Sequence, residues 1–324
     1  VETGNGSSGT YFILLGFSDQ PRLELAISVV VFFFYIGTLR GNTTIILVSH
    51  LDTQLHTPMY FFFSDLSFVD LCVATSIIPQ MLCQKKSITY EGCMLQFFFA
   101  LDLGDTECLL LALMASDSYA AVCQTLQNMV IMHPQLFQRM VLSTWLGSID
   151  STLILRSSTL KLLRCGHREV DNFFCEMPAF IKMACAYSNI IEIVSTLGVI
   201  FLLVPLLLIL ISYAITTQVV MWIRSQARQH KVLNTCGSHL TIVAMFYGTI
   251  ISMYMKPQNS TSQDEGEFLS LFYTIVKPSL YPLSYTSRNK EDVKSAVKRI
   301  LWRENCLANL VFTIYQELHK VLTW

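Results

Sequence analysis

Apolar residues in this chain come in long runs, not in the alternation of a half-buried strand. Seven such runs are legible: Leu25–Ser49, Pro58–Leu82, Leu95–Tyr119, Met140–Leu160, Ile193–Ile223, Leu233–Met255 and Phe268–Thr286. At about 1.5 Å per residue, each reaches across a hydrocarbon core of about 30 Å. The segments between them are mostly short and polar. The pattern predicts an all-α membrane protein, a bundle of seven transmembrane helices.

Polar positions inside the runs indicate how the helices pack. The third run carries Asp102, Asp105 and Glu107 in its first half. Charge at membrane depth is costly in lipid, so this helix is expected to sit among the others. The second run holds Asp65 and Asp70, and the fourth holds Trp145 and Asp150. In the first run Arg40 precedes Gly41-Asn42. Glycine permits close helix approach and asparagine gives a polar anchor. Arg40 is expected either to pair with an internal carboxylate or to strain the fold. The seventh run contains Lys277, Pro278 and Pro282, with Lys277 expected beside an internal acid or reaching toward a surface.

An odd number of spans puts the termini on opposite faces. Arg224, Arg228, His230 and Lys231 follow the fifth run, and the segment after the seventh is also basic. The positive-inside rule places both in the cytoplasm and the N-terminus outside. Residues 1–24 are then an extracellular tail, 25–287 the transmembrane domain, and 288–324 a cytoplasmic amphipathic segment and tail. Residues 1–24 lack a basic stretch followed by a short apolar core, so the first span is expected to be its own insertion signal. Asn289–Trp302 predicts a short helix lying on the membrane after span seven.

Composition agrees with a lipid environment: 52% of the 324 residues are hydrophobic and 14% charged, against about 25% charged in soluble domains. The mean hydropathy is +0.48. A formal net charge of −1 argues against nucleic acid as a partner. Of the ten cysteines, Cys72, Cys83, Cys108, Cys123 and Cys236 read as thiols in or beside the bundle. Cys93, Cys165, Cys175 and Cys185 fall on the outer face, where disulfides persist, and four cysteines allow three pairings. A bond from the long loop to Cys93 would fasten that loop over the bundle mouth. Asn5-Gly6-Ser7 is a glycosylation acceptor in the outer tail.

Several motifs then become familiar in order. They are Leu55-His56-Thr57-Pro58-Met59-Tyr60, Met114-Ala115-Ser116-Asp117-Ser118-Tyr119, Asn234-Thr235-Cys236-Gly237-Ser238-His239 with Phe246-Tyr247-Gly248-Thr249, and Ser287-Arg288-Asn289-Lys290-Glu291-Asp292. Over about residues 5 to 303 the chain resembles a vertebrate odorant receptor of the rhodopsin-like G-protein-coupled class. The resemblance implies a Cys93–Cys175 disulfide and a second between Cys165 and Cys185. It implies an odorant pocket formed by Ala100, Leu101, Gly104 and Asp105 on span three and Val199, Leu202 and Leu203 on span five. Tyr247, Ile250 and Ile251 on span six, with Tyr273 and Thr274 on span seven, would complete it. An apolar cavity with a few placed donors suits small volatile molecules, and Tyr247 and Thr274 are the expected donors. The G-protein switch would comprise Asp117, Ser118, Tyr119, Tyr213, His239, Pro282 and Tyr285. Asp70 and Glu107 resemble inner polar anchors, and an acid at the place of Asp70 commonly helps hold a sodium ion in relatives.

The chain departs from that family at the switch. Ser118 stands where the family has Arg, so Asp117 lacks its partner. Tyr281 stands where Asn is usual, and Thr125 replaces a Pro. A span-seven lysine holds retinal in light-sensing relatives, but that place falls at Ile275, about 200° around the helix from Lys277. No cofactor is expected. The expected function is odorant binding at the plasma membrane by a multi-pass receptor, signalling through a stimulatory olfactory-type G protein, with coupling weakened at Ser118. A receptor-like protein that binds but does not signal is the alternative. A transporter or channel is a further one, for which the intramembrane acids speak but no internal repeat does. No Ser/His/Asp or metal-ligand cluster suggests an enzyme.

Overall fold

The computed structural model describes residues 11–14, 21–55, 57–82, 87–123, 134–159, 169–170, 175, 189–222, 225–254, 271–288 and 294–300. Among them, the architecture is a bundle of long helices: α1 (Pro21–Leu51), α2 (Pro58–Leu82), α3 (Tyr90–Cys123), α4 (Pro134–Thr159), α5 (Asn189–Met221) and α6 (Gln226–Tyr254). The next begins as a π-helical turn, Phe272–Val276, and continues as α7 (Lys277–Arg288). Residues 294–300 form a further short helix, α8. The α2 bounds coincide with the expected ones, whereas α1, α3 and α6 extend a turn or more beyond the apolar run at an end. Backbone hydrogen bonding continues into the polar flanks, which hydropathy alone does not reveal. On length and composition alone, three helical segments suffice to cross a bilayer: Leu25–Leu51, Met59–Leu82 and Thr196–Met221.

Helix α3 is the hub, touching α2, α4, α5 and α6. Its Leu103, Cys108, Leu110, Leu111, Met114 and Ala115 are buried in the main core with Phe62, Leu66 and Val69 of α2 and Ile242, Val243 and Phe246 of α6. Helix α5 shows the opposite economy. Pro205, Ile209, Tyr213, Thr216 and Val220 form a buried stripe at helical spacing, while Leu203, Leu207, Leu208 and Ile211 are exposed. An apolar outer face of this kind is what lipid requires.

Two of the three carboxylates that made α3 unlike a lipid-facing helix, Asp102 and Asp105, find partners on α4. Ser148 donates to Asp102 at 2.8 Å, Ser151 donates to Asp105 at 2.6 Å, and Thr106 donates to Ser148 at 2.7 Å. Asp102 and Asp105 share a helix face, as do Ser148 and Ser151, so the two pairs stack along one seam. Such interhelical hydrogen bonds join helices where no water competes.

Arg40 corrects an expectation. It is exposed on the outer face of α1 and strains nothing internal. The expectation for Gly41-Asn42 holds. A Cβ on Gly41 would lie 2.8 Å from Pro282 Cβ, so only glycine lets α1 lie this close to α7. Asn42 Nδ2 donates to the Pro278 carbonyl at 3.0 Å. Pro282 has no N–H to give that carbonyl, and Asn42 fills the gap in the helix ladder. Asp150 is exposed.

One end of the bundle is capped by a small sheet. Strand β1 (Tyr11–Leu14) lies between β2 (Ser87–Thr89), antiparallel to it, and β3 (Glu169–Val170), parallel to it. A Cys93–Cys175 disulfide closes beside it, and the Cys175 N–H donates to Gln96 Oε1 at 3.1 Å. The implied loop strap is thus present. Cys165, Cys185 and Asn5 lie outside the described residues. At the opposite end α8 folds back on the bundle. Ala296 is fully buried, Val297 and Ile300 pack on the core, and Arg299 Nε donates to Asp52 at 3.0 Å.

Candidate functional site

The middle of the bundle holds a buried ionic cluster. Lys277 and Glu107, each with no solvent exposure, form an ion pair through Nζ and Oε2. Tyr281 donates to the other oxygen of Glu107 at 2.9 Å. The ammonium also lies over aromatic faces, 4.2 Å from the Tyr273 ring centroid and 5.0 Å from that of Phe246. Those contacts partly replace its hydration. Asp70, buried nearby on α2, lies in the electrostatic range of both charges. Neither Asp70 oxygen has a hydrogen-bond partner among the described residues.

The π turn explains why Lys277 faces inward. The Lys277 N–H donates to the Phe272 carbonyl, five residues back, instead of four. The wider turn changes the angular bookkeeping of a regular helix. It leaves Ile275 buried toward α1 and α2, while Lys277 turns to Glu107. Of the two places expected for Lys277, the internal acid is the observed one. The sequence marks Lys277 and Tyr281 as separate departures, but the fold joins them on one carboxylate.

The expected odorant residues divide. Gly104 faces Tyr273, since a Cβ there would sit 3.4 Å from its hydroxyl oxygen. Tyr247 and Thr274 are buried, and Leu202, Ile250 and Tyr273 pack against the core. Ala100 and Leu101 are half-buried. By contrast Val199, Leu203 and Ile251 are 47%, 46% and 41% exposed, on the outer surface of the bundle. Asp105 is engaged by Ser151 of α4, on the far side of α3's polar seam. The Tyr247 hydroxyl, expected as a donor to the ligand, lies 2.8 Å from the Cys108 thiol. One helical turn separates Gly104 from Cys108, but their spacing alone does not tell which partner each meets.

A cavity of about 300 Å³ opens at the other end of α3. Met59, Phe62, Phe63, Met114 and Cys236 give it apolar walls, and Asp117, Ser118 and His239 add polar groups. The Ser118 hydroxyl donates to the Met114 carbonyl at 2.9 Å, one turn back on its own helix. Asp117 has no hydrogen-bond or ion-pair partner among the described residues. Tyr213 and His239 Nδ1 are 2.6 Å apart, linking α5 to α6 beside the cavity. Tyr119 is half-buried and Pro282 buried, while the side chain of Tyr285 lies outside the described ones.

A helical bundle with a disulfide-strapped mouth at one end, a buried polar middle and an open cavity at the other end has the plan of a membrane receptor. The olfactory receptor family profile matches residues 31–304. Human olfactory receptor 2W1 is 50% identical over 306 residues, covering 93% of this chain and 95% of its own length. Human olfactory receptor 2G3 is 51% identical over 303 residues, covering 92% and 98%, and human olfactory receptor 2W3 is 53% identical over 302, covering 92% and 96%. The chain belongs to the olfactory receptor family. It is therefore an odorant receptor, a multi-pass protein of the plasma membrane in a family of receptors, with the seven-helix bundle that the family implies.

Proposed function

We propose that odorants bind between α3, α5, α6 and α7, around Gly104, Leu202, Ile250 and Tyr273, with Ala100, Leu101 and Thr274 at the margins. Gly104 supports this reading because its missing side chain leaves room beside the Tyr273 hydroxyl. Tyr247 acts there through its contact with Cys108, so a bound polar group competes with a thiol for that hydroxyl. The mouth with the disulfide faces outward, because disulfides persist in oxidising surroundings. The N-terminal strand β1 lies at that same end, and α8 with the basic segments lies in the cytoplasm.

A stimulatory G protein then engages the inner cavity. The observation that carries the coupling reading is the geometry of Asp117 and Ser118. The carboxylate has no cation beside it among the described residues, and the serine hydroxyl is spent on its own helix. A switch built on a charged clasp has neither its resting lock nor its active-state contact. The receptor binds odorant and couples weakly.

The test is a cAMP assay in cells carrying an olfactory-type stimulatory G protein. The chain and its Ser118→Arg variant are run against one odorant panel, with surface level measured for both. A weak or silent parent and a responsive variant at equal display are expected. A full response from the parent at ordinary surface level sinks the coupling reading.

A further inference from the structure

We infer that Lys277 is a built-in cation that takes the place a diffusible sodium ion would occupy in the middle of the bundle, so that this receptor's stability is independent of sodium. The inference goes beyond odorant binding and coupling. Two carboxylates, Asp70 and Glu107, are buried at the α2–α3–α7 junction, where the family resemblance implies a sodium ion. The residues here do not fit that ion. Both oxygens of Glu107 are already used, Oε2 by the Lys277 ammonium and Oε1 by the Tyr281 hydroxyl at 2.9 Å. Asp70 offers two open oxygens, but the ammonium sits within its electrostatic range and repels a second cation. The space around the ammonium is taken by the Tyr273, Phe246 and Tyr281 rings, which supply aromatic faces in place of the oxygen ligands a hard cation needs. Among the described residues no cluster of three or more His, Cys, Asp or Glu side chains is arranged to hold a metal.

A tethered cation differs physically from a bound one. It is present at every ionic strength and cannot leave when the bundle changes state. Lys277 thus couples α3 to α7 by a permanent ion pair, and the two-state equilibrium of the bundle loses its linkage to sodium.

The test uses the full-length purified receptor in detergent or nanodiscs. Thermal unfolding is followed in NaCl and in choline chloride at matched ionic strength. The parent is expected to show the same midpoint in both salts. Lys277→Met leaves two buried carboxylates without their cation. It should unfold at lower temperature in choline and gain about 2 °C at a tenfold excess of sodium over its dissociation constant. The double variant Lys277→Met/Glu107→Gln keeps one carboxylate, and its midpoint should not respond to sodium. A saturable, sodium-specific rise in the parent overturns the inference without need of any variant. An equal sodium response in the single and double variants also overturns it. Should Lys277→Met yield too little folded protein, Lys277→Gln replaces it, and the parent measurement still decides.

Discussion

Replacing Asn42 with alanine removes two side-chain hydrogen bonds, one to the Thr38 carbonyl of its own helix at 3.1 Å and one across to α7 whose reason can be traced atom by atom. In a regular helix the Pro278 carbonyl would accept from the N–H of residue 282. That residue is proline, so the carbonyl is orphaned, and Asn42 Nδ2 reaches across from α1 to it at 3.0 Å. Leaving a buried carbonyl unpaired costs about 1–3 kcal/mol in soluble proteins. Interhelical hydrogen bonds inside membranes average about 0.6 and reach about 1.7 kcal/mol. Asn42 has no solvent exposure, which pushes the value up. Its Oδ1, however, has no partner among the described residues, and losing that buried acceptor gives some of the stability back. The expected net loss is about 1 kcal/mol, or a fall of about 1–2 °C in the unfolding midpoint. Tryptophan fluorescence of the receptor in nanodiscs measures it. The decisive step is a double-mutant cycle with Pro282→Ala. Alanine at 282 restores the N–H that the Pro278 carbonyl lacks, so Asn42 becomes redundant. In that background Asn42→Ala should cost less than half as much. Equal costs in the two backgrounds would show that Asn42 does not act through this carbonyl, and the reasoning would fail.

Two further outcomes follow from buried partners and chain closure. Ser151→Ala leaves Asp105 Oδ2 without its 2.6 Å donor and should destabilise the bundle by about 1–3 kcal/mol, whereas Asp105→Asn, which keeps a hydrogen-bonding group on α3, should cost less; thermal midpoints rank the two. Cys93→Ser opens a bond that closes a separation of 82 residues, a constraint worth about 4–5 kcal/mol in the chain-entropy account, and surface labelling of intact cells should show display largely lost.

The order and approximate placement of the helices were legible in the sequence, because a bilayer demands long and largely apolar runs, although by length and apolarity alone only three of the described helices qualify as spans. The sequence also pointed to the close approach at Gly41 and the anchoring role of Asn42, since small and amide residues inside an apolar run have few other uses. Motif order and spacing carried the family. What a run of residues does not encode is the angle at which a side chain leaves its helix once regular geometry is broken. The π turn at Phe272–Val276 resets that angle, and Lys277 faces Glu107 only as a result. Facing is likewise a property of pairs of helices. Val199, Leu203 and Ile251 are as apolar as Leu202 and Ile250, yet the first three lie on the outer surface and the last two pack against the core. The partnering of Asp102 and Asp105 with Ser148 and Ser151 follows the same rule. Hydropathy records the cost of a charge in lipid, but the residue that offsets it belongs to another helix, and only tertiary packing brings it within reach.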